Sequence, residues 1–531
     1  MKSSHSVLAV LALTGAALQS GAASAATCES LVGLSLPHTT IASATSVAAS
    51  GAVPAYCLVE AHSHPTADSD IKILVALPAS GWNGKYLQVG NGGFAGSVAP
   101  PTAAVQLGYV GAGTDDGHTG SAFDASWALG HPQKIIDFGY RALKETTNTA
   151  KAVTEAFFGM PPRFSYFQGC SDGGREALME AQRFPEDWDG IVVGAPANFW
   201  THLLSVTAWN FQALNNNPAS SIPASKLPAI QAAALAQCDA KDGVVDGVVE
   251  NPLQCGFDPS VLLCKGADSD SCLTAPQVRA VGKILDGARN PRTGALIFPG
   301  YNFNAVADPN PLGLGAWVFT TGFGLPQPIQ FVFGDQFFKY MVFEDPTFDI
   351  GTLNFTSDIA FTDLKLARIL NSTNPDLHVL KSRGARVLMW HGWEDGAISP
   401  YNSVNYYKRV IDTQRHDRGK GRGEGHNALR RTQDFFRLFM VPGTLHCGGG
   451  PGTNTFDALT PLVNWVEHGQ APERIIATKF VNDDPTAAVV RTRPLCPYPQ
   501  IARYSGHGST DVAANFVCAD PDRRAHDDDD D

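Results

Sequence analysis

The sequence predicts an α/β fold, a mostly parallel sheet interrupted by a large insertion, and three observations predict it. Short apolar runs alternate with helical patterns between residues 71 and 196, as a parallel sheet requires. From about Phe199 to residue 375 that alternation stops, and the stretch carries four cysteines and many aromatics instead. Beyond it, residues 385–390 and 435–441 are two more apolar runs that read as strands.

Residues 1–26 have the pattern of a secretory signal. Lys2 supplies a positive start, residues 7–18 an apolar core, and Ala23-Ser24-Ala25 or Ser24-Ala25-Ala26 a small-residue cleavage site. The apolar run is shorter than the roughly 20 residues a membrane span needs, and no later stretch is long and apolar enough. The mature chain therefore reads as secreted or periplasmic, without a membrane partner. A formal charge of −12 argues against a nucleic-acid partner. Charged residues make up 17% of the chain, with 52 Gly and 35 Pro, which describes a compact, loop-rich protein with a near-neutral surface.

Residues 71–77 (Ile-Lys-Ile-Leu-Val-Ala-Leu) are apolar and partly β-branched, and Pro78 ends them, hence a strand. After Trp82-Asn83-Gly84-Lys85 a second strand, residues 86–89, runs into Gly90-Asn91-Gly92-Gly93-Phe94-Ala95-Gly96. That Gly-rich loop leads to Pro100-Pro101 rather than into a helix, so it is not a dinucleotide fingerprint. It reads either as a flexible turn or as an oxyanion loop, where absent side chains let a backbone N–H face developing negative charge. Residues 108–113 are a further strand. His118 and His131 lack a motif of their own and read as structural. Residues 137–158 have helical spacing and end before Gly159-Met160-Pro161-Pro162.

Residues 164–167 are a buried strand and residues 176–183 a helix, with Gly169-Cys170-Ser171-Asp172-Gly173-Gly174 between them. Strand, Gly-x-Ser-x-Gly and helix in that order make a nucleophile elbow, with small residues where the turn is too tight for side chains. Residues 190–196 follow as a short buried strand. Helices are expected in the insertion at 201–214, 229–237 and 275–285. The strand 385–390 leads into His391-Gly392-Trp393-Glu394-Asp395-Gly396, where Glu394 and Asp395 both qualify as the acid that orients a catalytic histidine. Asp395, nearer the turn glycine, is preferred. The strand 435–441 is followed by Pro442-Gly443-Thr444-Leu445-His446-Cys447, and a histidine there completes the order Ser, Asp, His. The basic loop 415–431 reads as a solvated excursion and Asp527 to Asp531 as an acidic tail.

Ten cysteines in a chain with a secretory pattern imply disulfides. Sequence does not fix their connectivity. Local clustering proposes Cys28 with Cys57, Cys238 with Cys255, Cys264 with Cys272 and Cys496 with Cys518, leaving Cys170 and Cys447 for each other; a buried free thiol at Cys170 is the alternative. A 170–447 bridge would close a loop worth about 5 kcal/mol in the chain-entropy model. It would also fasten nucleophile to base. Within the insertion, Asp239, Asp242 and Asp246 stand close together, with Gly243 between the last two and Gly247 directly after them. Like charges on a foldable loop suit an oxygen-ligated hard cation, Ca²⁺ first, although the spacing is not that of an EF-hand; two solvated Asp-Gly turns are the bland reading.

Through Trp82-Asn83-Gly84-Lys85, Gly90-Asn91-Gly92-Gly93, Gly169-Cys170-Ser171-Asp172-Gly173-Gly174, His391-Gly392 with Asp395, and His446-Cys447, the chain resembles the tannase and feruloyl esterase family, which includes a mono(2-hydroxyethyl) terephthalate hydrolase. The resemblance implies an α/β-hydrolase fold with a large inserted lid domain, divided as signal 1–26, catalytic domain 27–199 and 376–522, lid 200–375 and tail 523–531. It implies the triad Ser171, Asp395 and His446, a Cys170–Cys447 bridge, and oxyanion donors at the Asp172 and Gly92 amides. It also implies structural Ca²⁺ on Asp239, Asp242, Asp246 and the carbonyls of Val244 and Val248, with no organic cofactor.

The expected activity is hydrolysis of a small aromatic ester or an ester-linked plant polymer by a feruloyl esterase, with tannase or a terephthalate-type esterase as alternatives. Residues 294–367 contain no Arg, which disfavours a substrate with a free carboxylate, although the basic loop 415–431 tempers this if it covers the pocket. Trp317, Phe319, Phe323, Phe331, Phe333, Phe337, Phe338, Tyr340 and Phe343 suit a flat neutral ring or, for most of them, the lid's own core. A reading of a different class is a silent secreted binding protein on the same scaffold; the presence of all three triad residues favours the enzyme.

Overall fold

The apolar runs become one nine-stranded sheet in the computed structural model, which describes residues 26–415 and 424–521. In chain order the first strands are β1 (Thr39–Val47), β2 (Tyr56–Ser63), β3 (Ile71–Pro78), β4 (Lys85–Val89), β5 (Val110–Thr114), β6 (Phe164–Cys170) and β7 (Gly190–Gly194). Next, β8 (Ala288–Arg289) and β9 (Leu296–Phe298) form a small ladder of their own, and β10 (Arg386–Gly392) and β11 (Phe436–Val441) return to the main sheet. The sheet order is β1-β2-β3-β5-β4-β6-β7-β10-β11. β5, β4, β6, β7, β10 and β11 pair in parallel, and β1, β2 and β3 add an antiparallel edge. The expectation of a mostly parallel sheet therefore holds, with the edge β1–β2 added to it.

Successive residues of a strand face opposite sides, and the two cores show it. Phe167, Ile191, Val193 and Met389 pack with the helices on one face, while Tyr166, Val192, Leu388 and Phe439 pack on the other. Burial on both faces is why these central strands read as continuous apolar runs. The segment between β7 and β10 contributes no strand to the main sheet. Its helices include Trp200–Asn215, Leu227–Cys238, Ala275–Asp286, Ile329–Gln336 and Ser357–Leu370, and they surround a third core with Phe303, Phe337 and Phe338 fully buried. That core is shared: Phe94 from the Gly-rich loop, Phe138, and Ala397 and Ile398 from the turn after β10 belong to it. The insertion thus packs directly on the loops that carry the chemistry.

Two expected helices differ in extent. The pattern over 137–158 resolves into Pro132–Ile136, a wider π turn at Asp137–Arg141, and Ala142–Phe158. The helix expected at 176–183 begins at Asp172, directly after the nucleophile. Residues 416–423 of the basic loop lie outside the described residues, as do 1–25 of the expected signal and the tail 523–531; from 424 the chain is helical, Glu424–Gln433. Five disulfides join Cys28–Cys57, Cys170–Cys447, Cys238–Cys255, Cys264–Cys272 and Cys496–Cys518, the pairing that local clustering proposes.

Candidate active site

Ser171 stands between the C-terminal end of β6 and the N-terminus of the helix Asp172–Arg183, at φ 67° and ψ −121°. A non-glycine residue in this region is strained, and the surroundings must enforce it. They do so by crowding: a Cβ on Gly169 would meet the Gly173 carbonyl oxygen at 2.4 Å, and one on Gly174 the Gly194 carbonyl oxygen at 2.2 Å. The Ser171 N–H donates to Gly194 O at 3.1 Å, and Ser171 O accepts from Ala197 N–H at 3.0 Å.

His446 Nε2 lies 2.9 Å from Ser171 Oγ, and His446 Nδ1 lies 2.8 Å from Asp395 Oδ2. The three residues follow β6, β10 and β11, the C-terminal ends of parallel strands where open α/β sheets place their sites. The bridge from Cys170 to Cys447 has its Cα atoms 6.1 Å apart and joins the neighbours of nucleophile and base.

Asp395 is fully enclosed. Its Oδ1 accepts the N–H groups of Ala397 and Ile398, both at 2.8 Å. Burial would raise its carboxyl, but the His446 charge and hydrogen bonds from His391 and His446 outweigh burial and hold it below the ordinary carboxylate range. Glu394 is the contrasting neighbour. It bonds Asn304 at 3.2 Å, away from the histidine, and burial pushes its carboxyl up to about 8. Of the two acids, Asp395 bonds His446 and Glu394 bonds Asn304.

His391 is a member of this site that the motif reading quotes without a role. Its Nε2 is 3.1 Å from both Asp395 Oδ2 and Ile398 O, two acceptors, so Nε2 carries the proton. Its Nδ1 then accepts the Ser403 hydroxyl at 2.7 Å. Replacing His391 with Leu removes a donor to a buried carboxylate, worth about 1.5–3 kcal/mol; kcat is expected to fall by roughly tenfold or more, as steady-state kinetics will report.

A narrow cavity opens beside the nucleophile, lined by Gly93, Ser171 and Asp172 together with Trp200, Leu203, Leu204, Trp317, Phe333, Ala397 and Ile398. The Gly-rich loop enters it at Gly93, next to the Gly92 that the resemblance implies as a donor. Gly92 gives its N–H to Asn91 Oδ1 at 3.0 Å, whereas Gly93, at φ +60°, lines the cavity. Register of a single amide depends on backbone dihedrals that motif spacing does not encode. Of the aromatics named above, Trp317 and Phe333 line this cavity, stacked on one another with ring centroids 5.7 Å apart, and Trp317 meets the His446 ring edge-on.

The elbow rests on a buried cation that sequence reasoning does not single out. Arg175 is fully buried; it pairs with Asp172, donates to Gly139 O and Phe138 O at 2.8 and 2.9 Å, and lies over the Phe138 ring. His118 is buried and stacked on Trp127, and His131 bonds Asp68, so both histidines stand outside the triad.

The acidic loop lies in the insertion, closed by Cys238–Cys255. Asp242 and Asp246 each accept the N–H two residues on, from Val244 at 2.8 Å and Val248 at 3.1 Å, and Asp239 accepts from Gly247 at 3.1 Å. Gly243 and Gly247, at φ +88° and +78°, allow the fold-back. Burial, with the charges of Asp246 and Asp239, pushes Asp242 up to about 6, a repulsion that a hard cation would relieve. All donors are oxygen, which fits such an ion. Arg491 and Arg493, from the strand Val489–Leu495, both donate to Asp246 Oδ2, at 2.8 and 3.0 Å.

Residues 57–519 match the family model for tannase and feruloyl esterase. The chain is 45% identical to an uncharacterized esterase of Xanthomonas campestris, over 98% of this chain and 96% of the relative. It is 33% identical to the mono(2-hydroxyethyl) terephthalate hydrolase of Piscinibacter sakaiensis, over 85% and 82% of the two chains. Among solved structures, feruloyl esterase B from Aspergillus oryzae superposes with a TM-score of 0.81 at 27% identity, over 93% and 99% of the chains.

Proposed function

We infer that this chain, which belongs to the tannase and feruloyl esterase family and is a carboxylic ester hydrolase, cleaves esters of neutral aromatic acids, feruloyl esters first, through an acyl-enzyme on Ser171. Ser171 Oγ attacks the ester carbonyl while His446 Nε2 takes its proton, and Asp395 holds the Nδ1–H tautomer. The amides of Asp172 and Gly93, residues that line the same cavity, receive the oxyanion. His446 returns its proton to the leaving alcohol, then activates the water that frees the acid.

One observation carries the substrate reading: among the described residues, no Lys or Arg lines the cavity beside Ser171. Its neutral polar side chains are already engaged, Thr207 with Leu204 O at 2.7 Å and Gln330 with Gly396 O at 3.0 Å. A terephthalate carboxylate would be buried there without a partner. A galloyl ester is the second reading, because an adjoining cavity of about 170 Å³ shares Thr207, Trp317 and Gln330 and adds the amides of Asn210, Asn215 and Gln327. The test is a panel of methyl ferulate, methyl gallate, chlorogenate and mono(2-hydroxyethyl) terephthalate ranked by kcat/KM. Methyl ferulate is expected first and the terephthalate monoester roughly 10–100-fold behind, the cost of about 1–3 kcal/mol for an unpartnered polar group. A terephthalate preference would reverse the reading.

We also propose structural Ca²⁺ on Asp239, Asp242, Asp246 and the carbonyls of Val244 and Val248, where it would neutralise the loop and brace it. Chelation should lower the melting temperature and leave Ser171 reactive towards a fluorophosphonate; an unchanged melting temperature counts against the ion. Secretion or periplasmic export is the matching localisation, supported by five disulfides. Among the described residues no helix is long and apolar enough to cross a membrane.

A further inference from the structure

Behind the Gly-rich loop lies a carboxyl pair that the hydrolytic steps do not use. Asp116, in the turn after β5, and Glu176, on the helix Asp172–Arg183, are both 0% exposed. One oxygen from each, and one from Asp172, lie within 4.8 Å of one another. Arg175 clasps Asp172, whereas no ion pair involves Asp116 or Glu176 among the described residues. Neither oxygen of Asp116 has a hydrogen-bond donor, and nor does Glu176 Oε1. Glu176 Oε2 accepts the Asn91 N–H at 2.9 Å.

Two ionised carboxylates this close and this dry would repel strongly, and acceptors facing acceptors satisfy neither. A shared proton resolves both problems. We propose that Asp116 is a protonated acid donating its O–H to Glu176, and that the pair acts as a positioning device for the oxyanion loop through the Glu176–Asn91 bond.

The geometry downstream of that bond is tight. Asn91 O accepts Gly173 N–H at 2.8 Å, tying the loop to the elbow, and Asn91 Nδ2 donates to Ser97 O and Thr114 O. Gly90 is pressed against the acid, since a Cβ there would come within 2.7 Å of Glu176 Oε2. Asn91 is thereby fixed two residues before Gly93, which lines the nucleophile's cavity. Burial first, then the charges of Glu176 and Asp172, push Asp116 well above the ordinary carboxylate range. Burial and Asp172 push Glu176 up to about 7. Glu180, on the same helix, is raised to about 8 by burial, and His118, two residues beyond Asp116, is lowered to about 4 and supplies no positive charge at neutral pH; the Arg175 charge draws both acids of the pair down, and burial outweighs it.

The decisive experiment uses p-nitrophenyl acetate, whose cleavage requires esterase activity but not the aromatic-acid reading, so the two can fail separately. Asp116→Asn mimics the neutral acid, keeps a donor and suits the φ of +66° there; Asp116→Leu removes the donor but adds bulk and backbone strain at that φ, so Glu176→Leu, on a regular helix, is run beside it. Asp116→Asn is expected to keep kcat within about twofold, while Asp116→Leu lowers kcat by roughly 10–100-fold with KM within about threefold, part of the 10²–10³ that loss of an oxyanion donor costs. An infrared difference spectrum of wild type against Asp116→Asn should show loss of a protonated-carboxyl band. If Asp116→Leu does not fold, Glu176→Gln against Glu176→Leu gives the same comparison. An Asp116→Asn variant as impaired as Asp116→Leu, or an Asp116→Leu variant with wild-type kcat, overturns the proposal; the first result would mean an ionised Asp116 paired with a cation.

Discussion

Replacing Ser171 with alanine should lower kcat for any ester substrate by roughly 10⁶, the scale on which a triad nucleophile fails, while the chain still folds. The size follows from what remains. Ser171 Oγ has its base 2.9 Å away, and that base has its carboxylate 2.8 Å beyond, so nucleophile and proton acceptor act as one unit. Without the oxygen, cavity and oxyanion amides can still bind substrate, and a residual rate of roughly 10³–10⁴ over water is expected from them. His446→Ala should cost nearly as much alone, and the double variant scarcely more, because the residues are not additive. Folding should be preserved, since the backbone bonds of Ser171 to Gly194 and Ala197 and the crowding at Gly169 and Gly174 do not involve its side chain. Steady-state kinetics with a thermal melt separate these outcomes.

Removing the Cys170–Cys447 bridge should be the second largest effect, and it acts on two quantities at once. The bond joins residues 277 apart in sequence, so freeing the unfolded chain costs up to about 5 kcal/mol in the entropy model. Its ends also flank the catalytic pair. Cys447 adopts φ 61°, a strained value for a side-chain-bearing residue, and sits in the loop that delivers His446. A double Cys170→Ala, Cys447→Ala variant should lower the melting temperature by several degrees and kcat by roughly 10–100-fold, since a displacement of about 1 Å between reacting groups costs that much. Two other ties keep the His446 loop from leaving altogether: Glu394 N–H donates to Thr444 O at 3.0 Å, and His446 N–H to Leu312 O of the insertion at 3.3 Å. Activity that survives unchanged at 25 °C would mean that these ties suffice and the bridge serves stability alone.

The central strands are legible in the sequence because burial on both faces leaves them continuously apolar, as in Ile191-Val192-Val193. β1 escapes notice for the opposite reason. Thr39–Val47 buries only Thr39, Ile41 and Ala44, and its Ser and Thr residues resemble a loop. The proposed triad is legible because its members each follow a strand and carry a glycine or cysteine signature. Its supports are not. His391, Arg175 and Glu176 act through contacts that the sheet and elbow create, and a buried guanidinium is rare enough that no pattern announces it. The acidic loop announces its charge, but not Arg491 and Arg493, which lie some 245 residues further along the chain.

The most direct test of the central claim is acid quenching of the enzyme during turnover of methyl ferulate, followed by peptide mass mapping. The expected result is a feruloyl adduct on the peptide that contains Ser171, absent from the Ser171→Ala variant. An adduct on another residue, or undiminished hydrolysis by the variant, would contradict it.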